Sequence, residues 1–182
     1  MESYKYEQVT EILSDNTKWP RLRYDDEIVE LITGSVGQLG TRTVYEKIAS
    51  ILMEHQLLDS ALRHLIKLSI LYIQGEIWPA KYEPVVHAPR DQKTTGWYLN
   101  YYEKSCLDVE SKTDFLDHMK KMNSYRNKIA HHIIGKNEVI ISDTHEKFSS
   151  EFYLASQAFS RCEKEVFEKL YDLTKRVNFN GL

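Results

Sequence analysis

The chain has 182 residues and a mass of 21.5 kDa, which suits one compact domain able to bury its core without metal or disulfide staples. Apolar residues make up 42% and charged residues 28%, excluding disordered and fibrous classes. The 24 Lys and Arg against 27 Asp and Glu give a formal net charge of −3, which excludes a protein basic all over but not a local basic site.

In chain order, Tyr4–Leu13 and Asp26–Ile32 read as short helices separated by Trp19-Pro20, and Gly34, Gly37 and Gly40 follow as breakers. Residues 1–40 are therefore expected to be a helical extension to a core spanning about 41–177. The first residues carry charge where a secretory signal needs an apolar run, so the expected location is the cytoplasm.

The first long helix is predicted from Thr41 to Gln74. Val44, Ile48, Ile51, His55, Leu58, Leu62, Leu65, Ser69 and Tyr72 recur every three or four residues and form one mostly apolar stripe. On that stripe His55 reads as a satisfied core histidine, and Asp59 and Arg63 read as an i, i+4 ion pair on another face. The apolar run Leu65–Ile73 is interrupted by Lys67 and is too short to cross a bilayer, so no membrane association is expected.

The connection from Glu76 to Glu110 contains Pro79, Pro84, Pro89 and Gly96, with a short helix predicted around Trp97–Lys104. It also holds Trp78, Tyr82, Trp97, Tyr98, Tyr101 and Tyr102. Such rings stack on bases in single-strand binders, and more commonly seal the end of a helical bundle.

A second long helix is predicted from Ser111 to Ile134, with Ser111 or Thr113 as its cap and Gly135 as its stop. Its stripe is Phe115, Met119, Met122, Arg126, Ile129 and Ile133, so Arg126 occupies a place that the pattern reserves for apolar residues. Glu138–Ser142 reads as a short β-turn excursion. A third long helix runs from Ser149 to Val177, with Phe152, Ala155, Phe159, Cys162, Val166, Leu170, Leu173 and Val177 as its buried seam. The fold class is all-α: a single-domain bundle of long antiparallel helices. Cys106 and Cys162 are too few and too far apart for a zinc cluster or a disulfide framework, and no metal or cofactor is expected.

The most informative stretch surrounds Arg126. From His118 to Asn137 there are Lys120, Lys121, Arg126, Lys128 and Lys136, three histidines and no acid. This makes a locally electropositive stripe inside an acidic average. Cations near a helix C-terminus are ordinary and account for Lys128 and Lys136. They do not account for Arg126, because an unpaired guanidinium on an apolar seam is costly. Arg126 must meet an anion: either a core carboxylate, with Asp59 as one possible partner, or the phosphate of a ligand, whose oxygens match its fork of donors.

Arg126, Asn127 and His131 match the three fixed positions of a motif written Arg, polar residue, three variable residues, His. In this the chain resembles the HEPN superfamily. Requiring Asn after the Arg lowers the chance expectation of the match to roughly one in a hundred. The position near the end of a helix, followed by a turn and one last long helix, is also similar to that family's all-α layout.

The resemblance implies a metal-independent endoribonuclease, a bacterial toxin or antiviral effector cleaving single-stranded or structured RNA. The alternative it implies is a non-catalytic module that binds RNA or nucleotide, or mediates protein assembly. In the catalytic reading, His131 transfers a proton, Arg126 stabilises the phosphate, and Asn127 orients His131 or the phosphate. Lys120, Lys121, Lys128 and His132 are the expected RNA- or phosphate-binding residues around them. Arg126 and His131 point about 140° apart on a helix, whereas Asn127 and His131 differ by about 40°. Two copies meeting across a two-fold axis would pool both groups in one cleft, so a homodimer through this helix is expected. HEPN ribonucleases are known as a family for such composite sites.

The adjacent His131 and His132 point about 100° apart and have no Asp or Glu at i±4, so they do not read as a zinc pair. A cognate antitoxin or regulatory protein is an expected partner. The sequence departs from the family at Ile133, where HEPN toxins paired with nucleotidyltransferase antitoxins usually carry a Tyr that is modified. That particular partnership is therefore in doubt.

Overall fold

The computed structural model describes residues 6–22, 43–77, 93–132 and 138–177. These form α1 (Tyr6–Ser14), a 3-10 turn (Asn16–Lys18), α2 (Val44–Glu76), α3 (Thr95–Ser105), α4 (Lys112–His132) and α5 (Glu138–Arg176). No strand occurs among the described residues, and the fold class is all-α. The helix predicted at Asp26–Ile32, together with Trp78, Tyr82 and Ile133, lies outside the described residues.

Local chemistry explains where the helices begin. Thr43 and Glu46 form a reciprocal capping box: Glu46 N–H donates to Thr43 Oγ1 at 3.3 Å, and Thr43 N–H donates to Glu46 Oε2 at 2.6 Å. Thr94 caps α3 by accepting from Trp97 N–H at 3.4 Å. At the start of α4, Ser111 takes a tertiary role, and its hydroxyl donates to Glu165 Oε1 on α5 at 2.6 Å.

α2 is the central helix and packs against all four others. Its stretch from Leu58 to Leu71 is buried on nearly every face, including Ala61, Leu62, Leu65, Ile66, Leu68 and Ile70. A single stripe was expected; the wider burial follows from having neighbours on all sides. Each fully buried Leu or Ile contributes about 1.5–3 kcal/mol. Where α1, α2 and α5 converge, Gly75 leaves no room for a side chain: a Cβ there would stand 2.6 Å from Leu173 and 2.7 Å from Leu13.

The helix directions follow from contacts at matched positions. α4 runs antiparallel to α5, since Ser111 meets Glu165 and His118 meets Glu151. α2 and α5, the two longest helices, run parallel: Lys47 meets Ser142, His64 meets Glu163 and Arg176 meets Glu76. The expectation of antiparallel long helices therefore fails for this pair. In an up-down-up succession of three long segments, the first and third share a direction.

A second correction concerns residues 138–142. They open α5, which begins at Glu138, eleven residues before the predicted start at Ser149. Val139, Ile140 and Ile141 favour strands in isolation, but a lone strand has no ladder to join, and tertiary context overrides propensity. Ile141 is buried in the core, Lys47 Nζ donates to Ser142 Oγ at 2.8 Å, and Thr144 Oγ1 donates to Ile140 O at 2.8 Å.

The aromatic residues of α3 mostly close the bundle. Tyr98 and Tyr102 are fully buried, and Tyr102 packs edge-on against Phe115. Trp97 stacks on Tyr101 with ring centroids 5.3 Å apart. The buried Tyr98 and Tyr102 rings offer no face to a base, whereas Trp97 and Tyr101 are half-buried and packed on each other. No described helix is long and apolar enough to cross a membrane.

Candidate functional site at Arg126

α4 sets the site. Phe115, Met119, Met122 and Ile129 on its inner face are buried to 1% exposure or less, and Arg126 lies between them in that stripe, half-buried. Its guanidinium Nη1 donates to Asn127 Oδ1 at 3.1 Å. Among the described residues, no carboxylate stands within ion-pair distance of Arg126.

Asp59, the carboxylate that the sequence offered as a partner, is otherwise engaged. Its Oδ2 accepts from Arg63 Nε at 2.8 Å, and its Oδ1 accepts from Thr95 Oγ1 at 2.7 Å. Arg63 also lies over the Tyr98 ring at 4.3 Å. The carboxylate thus ties α2 to the start of α3 and does not serve the guanidinium on α4. Asn127 supplies only a neutral oxygen to Arg126, and its amide N–H donors have no partner among the described residues.

Two residues join Arg126 that the sequence did not assign to the site. His55 on α2 is only 6% exposed, and its Nε2 has no hydrogen-bond partner among the described residues. It is therefore buried as expected, with Nε2 left over. Burial pushes its pKa below the ordinary 6.5; the charge of Asp59 opposes this, Arg126 adds to it, and a hydrogen bond with the Asn123 side chain opposes it. Asn123, one turn before Arg126, is the second residue. A periodic apolar stripe announces that His55 is buried, but only the crossing of α2 and α4 shows which groups surround it.

The lysines divide. Lys120 Nζ pairs with Glu103 on α3 at 2.8 Å, and this hydrogen bond lowers the pKa of Glu103. Lys121 Nζ pairs with Glu151 on α5 at 3.2 Å, and His118 Nδ1 lies 2.5 Å from the same carboxylate. The acid-free run of sequence acquires acids in space from α3 and α5. Lys120 and Lys121 accordingly stand apart from Arg126, each on its own carboxylate. Lys128 is exposed, lies 5.5 Å from the Tyr125 ring centroid and has no carboxylate partner among the described residues.

His131 and His132 belong to the last turn of α4. Their side chains lie outside the described residues. No group of three or more His, Cys, Asp or Glu suited to a metal occurs among the described residues.

The assembled site is a cationic, hydrogen-bond-donating corner where α4 crosses α2. It contains Arg126 and Asn127, with His55 and Asn123 behind them, and the backbone of His131 follows in the next turn. No protein-family model, curated protein or solved structure matches the chain.

Proposed function

We propose that this chain is a HEPN-type, metal-independent endoribonuclease acting on single-stranded or structured RNA, in the setting of a bacterial toxin or antiviral defence effector in the cytoplasm. One observation carries the reading: Arg126 occupies the apolar seam of α4, half-buried and without a carboxylate among the described residues. A guanidinium in that position is costly unless an anion completes it, and a phosphodiester supplies two oxygens at matching spacing.

The chemistry needs no metal. The RNA 2′-oxygen attacks the adjacent phosphorus, the bond to the 5′-oxygen breaks, and a 2′,3′-cyclic phosphate and a 5′-hydroxyl result. Arg126 stabilises the charge on the non-bridging oxygens, and Asn127 uses its free amide donors on the phosphate or on His131. His131 moves a proton of the 2′-hydroxyl or the leaving oxygen. Lys128 and His132 contribute to holding the RNA strand. Lys120 and Lys121 extend that contact only when RNA phosphates displace Glu103 and Glu151.

Arg126 and His131 diverge by about 140° around the helix. The reading therefore includes a homodimer through α4, in which each cleft combines groups from both copies. A cognate antitoxin or regulatory protein would act by covering this helix.

The test is incubation of the pure protein with single-stranded RNA in EDTA, followed by end-group analysis. Cyclic phosphate ends, lost in Arg126→Ala and in His131→Ala while melting temperatures hold, support the enzyme. RNA bound but uncut by the unaltered protein replaces it with a binding module, and neither binding nor cleavage overturns both.

A further inference from the structure

Three facts meet at the crossing of α2 and α4. The His55 side chain is more than nine-tenths buried, its Nε2 has no hydrogen-bond partner among the described residues, and the charged group that acts on it from α4 is Arg126, itself without a carboxylate among the described residues. A buried polar nitrogen left unpaired carries its full desolvation cost, so such groups mark places where something else completes the hydrogen bonding. Among the described residues, the charged groups acting on the ring are Asp59 from its own helix and Arg126 from α4, with the neutral Asn123 beside it. Asp59 is already divided between Arg63 and Thr95.

We propose that His55 is a proton-coupled member of the Arg126 anion site, taking a proton from solvent when a phosphodiester pairs with the guanidinium. The proposal rests on the phosphate reading of Arg126 and adds to it a residue from a different helix. The electrostatics give its sign. In the empty site, burial and the neighbouring guanidinium both favour the neutral ring. A bound phosphate neutralises the guanidinium and brings its own negative charge, and both changes favour the imidazolium. Binding and protonation then reinforce each other, so affinity rises as pH falls.

The ring's positioning role is distinct from catalysis. Nothing requires it to touch the substrate; its charge sets how strongly the Arg126 corner attracts an anion. The arrangement also links α2, the central helix, to occupancy of a site carried on α4.

A thymidine oligodeoxynucleotide is a suitable probe. It lacks the 2′-hydroxyl, so it cannot be cut by the proposed chemistry, and neither its bases nor its phosphodiesters titrate between about pH 5 and 8. Binding is measured by fluorescence anisotropy at fixed ionic strength across that range, and by calorimetry in two buffers of different ionisation enthalpy. The expected result is affinity that rises toward low pH by up to about tenfold per unit, with up to about one proton taken up per site. In His55→Gln, which keeps a polar side chain but cannot titrate, the proton uptake assigned to the buried ring is lost, and the rise in affinity toward low pH shrinks accordingly. Unchanged pH dependence in a folded His55→Gln protein overturns the proposal, as does pH-independent binding by the unaltered protein. No binding at any pH overturns it as well. Should the oligodeoxynucleotide bind with the His55-dependent proton while RNA stays uncut, the proposal stands and the ribonuclease reading falls. Cleaved RNA with unchanged pH dependence in His55→Gln has the opposite meaning.

Discussion

At the residue scale, the central distinction is between Arg126 and Arg63. Arg63 has the company expected of a structural arginine: a carboxylate at 2.8 Å and a tyrosine ring at 4.3 Å. Among the described residues, Arg126 has one neutral amide oxygen at 3.1 Å. A double-mutant cycle on thermal stability tests the contrast. Asp59→Ala is expected to cost about 1–3 kcal/mol, because Arg63 and Thr95 both lose an acceptor. It should couple to Arg63→Ala by 0.5 kcal/mol or more, roughly the value for residues in contact, and to Arg126→Ala by less than about 0.5. Strong coupling between Asp59 and Arg126 would mean that this carboxylate does serve the guanidinium. Arg126 was legible in the sequence because a guanidinium interrupts an otherwise apolar repeat. The orphan nitrogen of His55 was not legible, since an apolar period reports burial and carries no information about which groups arrive from another helix.

At the element scale, periodicity located the long helices, and tertiary contacts decided their ends. The start of α5 is the clearest case. Val139, Ile140 and Ile141 read as β-formers when taken alone, whereas in the fold Ile141 is 3% exposed and Val139 is 75% exposed. A helix places these two residues about 160° apart, while a strand would place them on one face. Ile141→Ala should therefore cost about 2–5 kcal/mol and Val139→Ala close to nothing, as measured by denaturant unfolding. Equal costs at both positions would restore the strand.

The pairing of α4 with α5 has its own signature. Burial works to raise the pKa of Glu151, but hydrogen bonds from His118 and Lys121 outweigh it and hold the carboxyl below the ordinary 4.5. A lowered carboxylate contributes stability that is full above that ordinary value and is lost as pH falls through the lowered one. Glu151→Gln should thus flatten the acid limb of a melting-temperature profile below about pH 4.5. A profile identical to that of the unaltered protein would show that the carboxylate does not link the helices.

At the scale of the whole molecule, the formal charge of −3 hides a local reversal, but a smaller one than the sequence alone suggests. The run from His118 to Asn137 contains no acid, yet Glu103 and Glu151 reach Lys120 and Lys121 across helix contacts. Linear charge counts cannot see such pairings. The described cations of the run that keep no carboxylate among the described residues are Arg126 and Lys128, beside the motif itself. The proposed homodimer uses the same helix. If two copies pool their groups, mixing inactive Arg126→Ala protein with inactive His131→Ala protein should restore about a quarter to a half of the unaltered activity after subunit exchange. Mixtures that stay inactive despite exchange would place a complete site in each copy.

The claim on which the rest depends is that Arg126 is an anion-binding residue of a ribonuclease and not a misplaced structural one. The most direct measurement is the single-turnover rate of RNA cleavage in EDTA by unaltered and Arg126→Ala proteins, compared at temperatures equally far below their respective melting points. The expected result is cleavage by the unaltered protein and a loss of about 10²–10³-fold in the variant, the scale of removing one transition-state donor. Equal rates in the two folded proteins, or no cleavage by the unaltered one, would contradict the account.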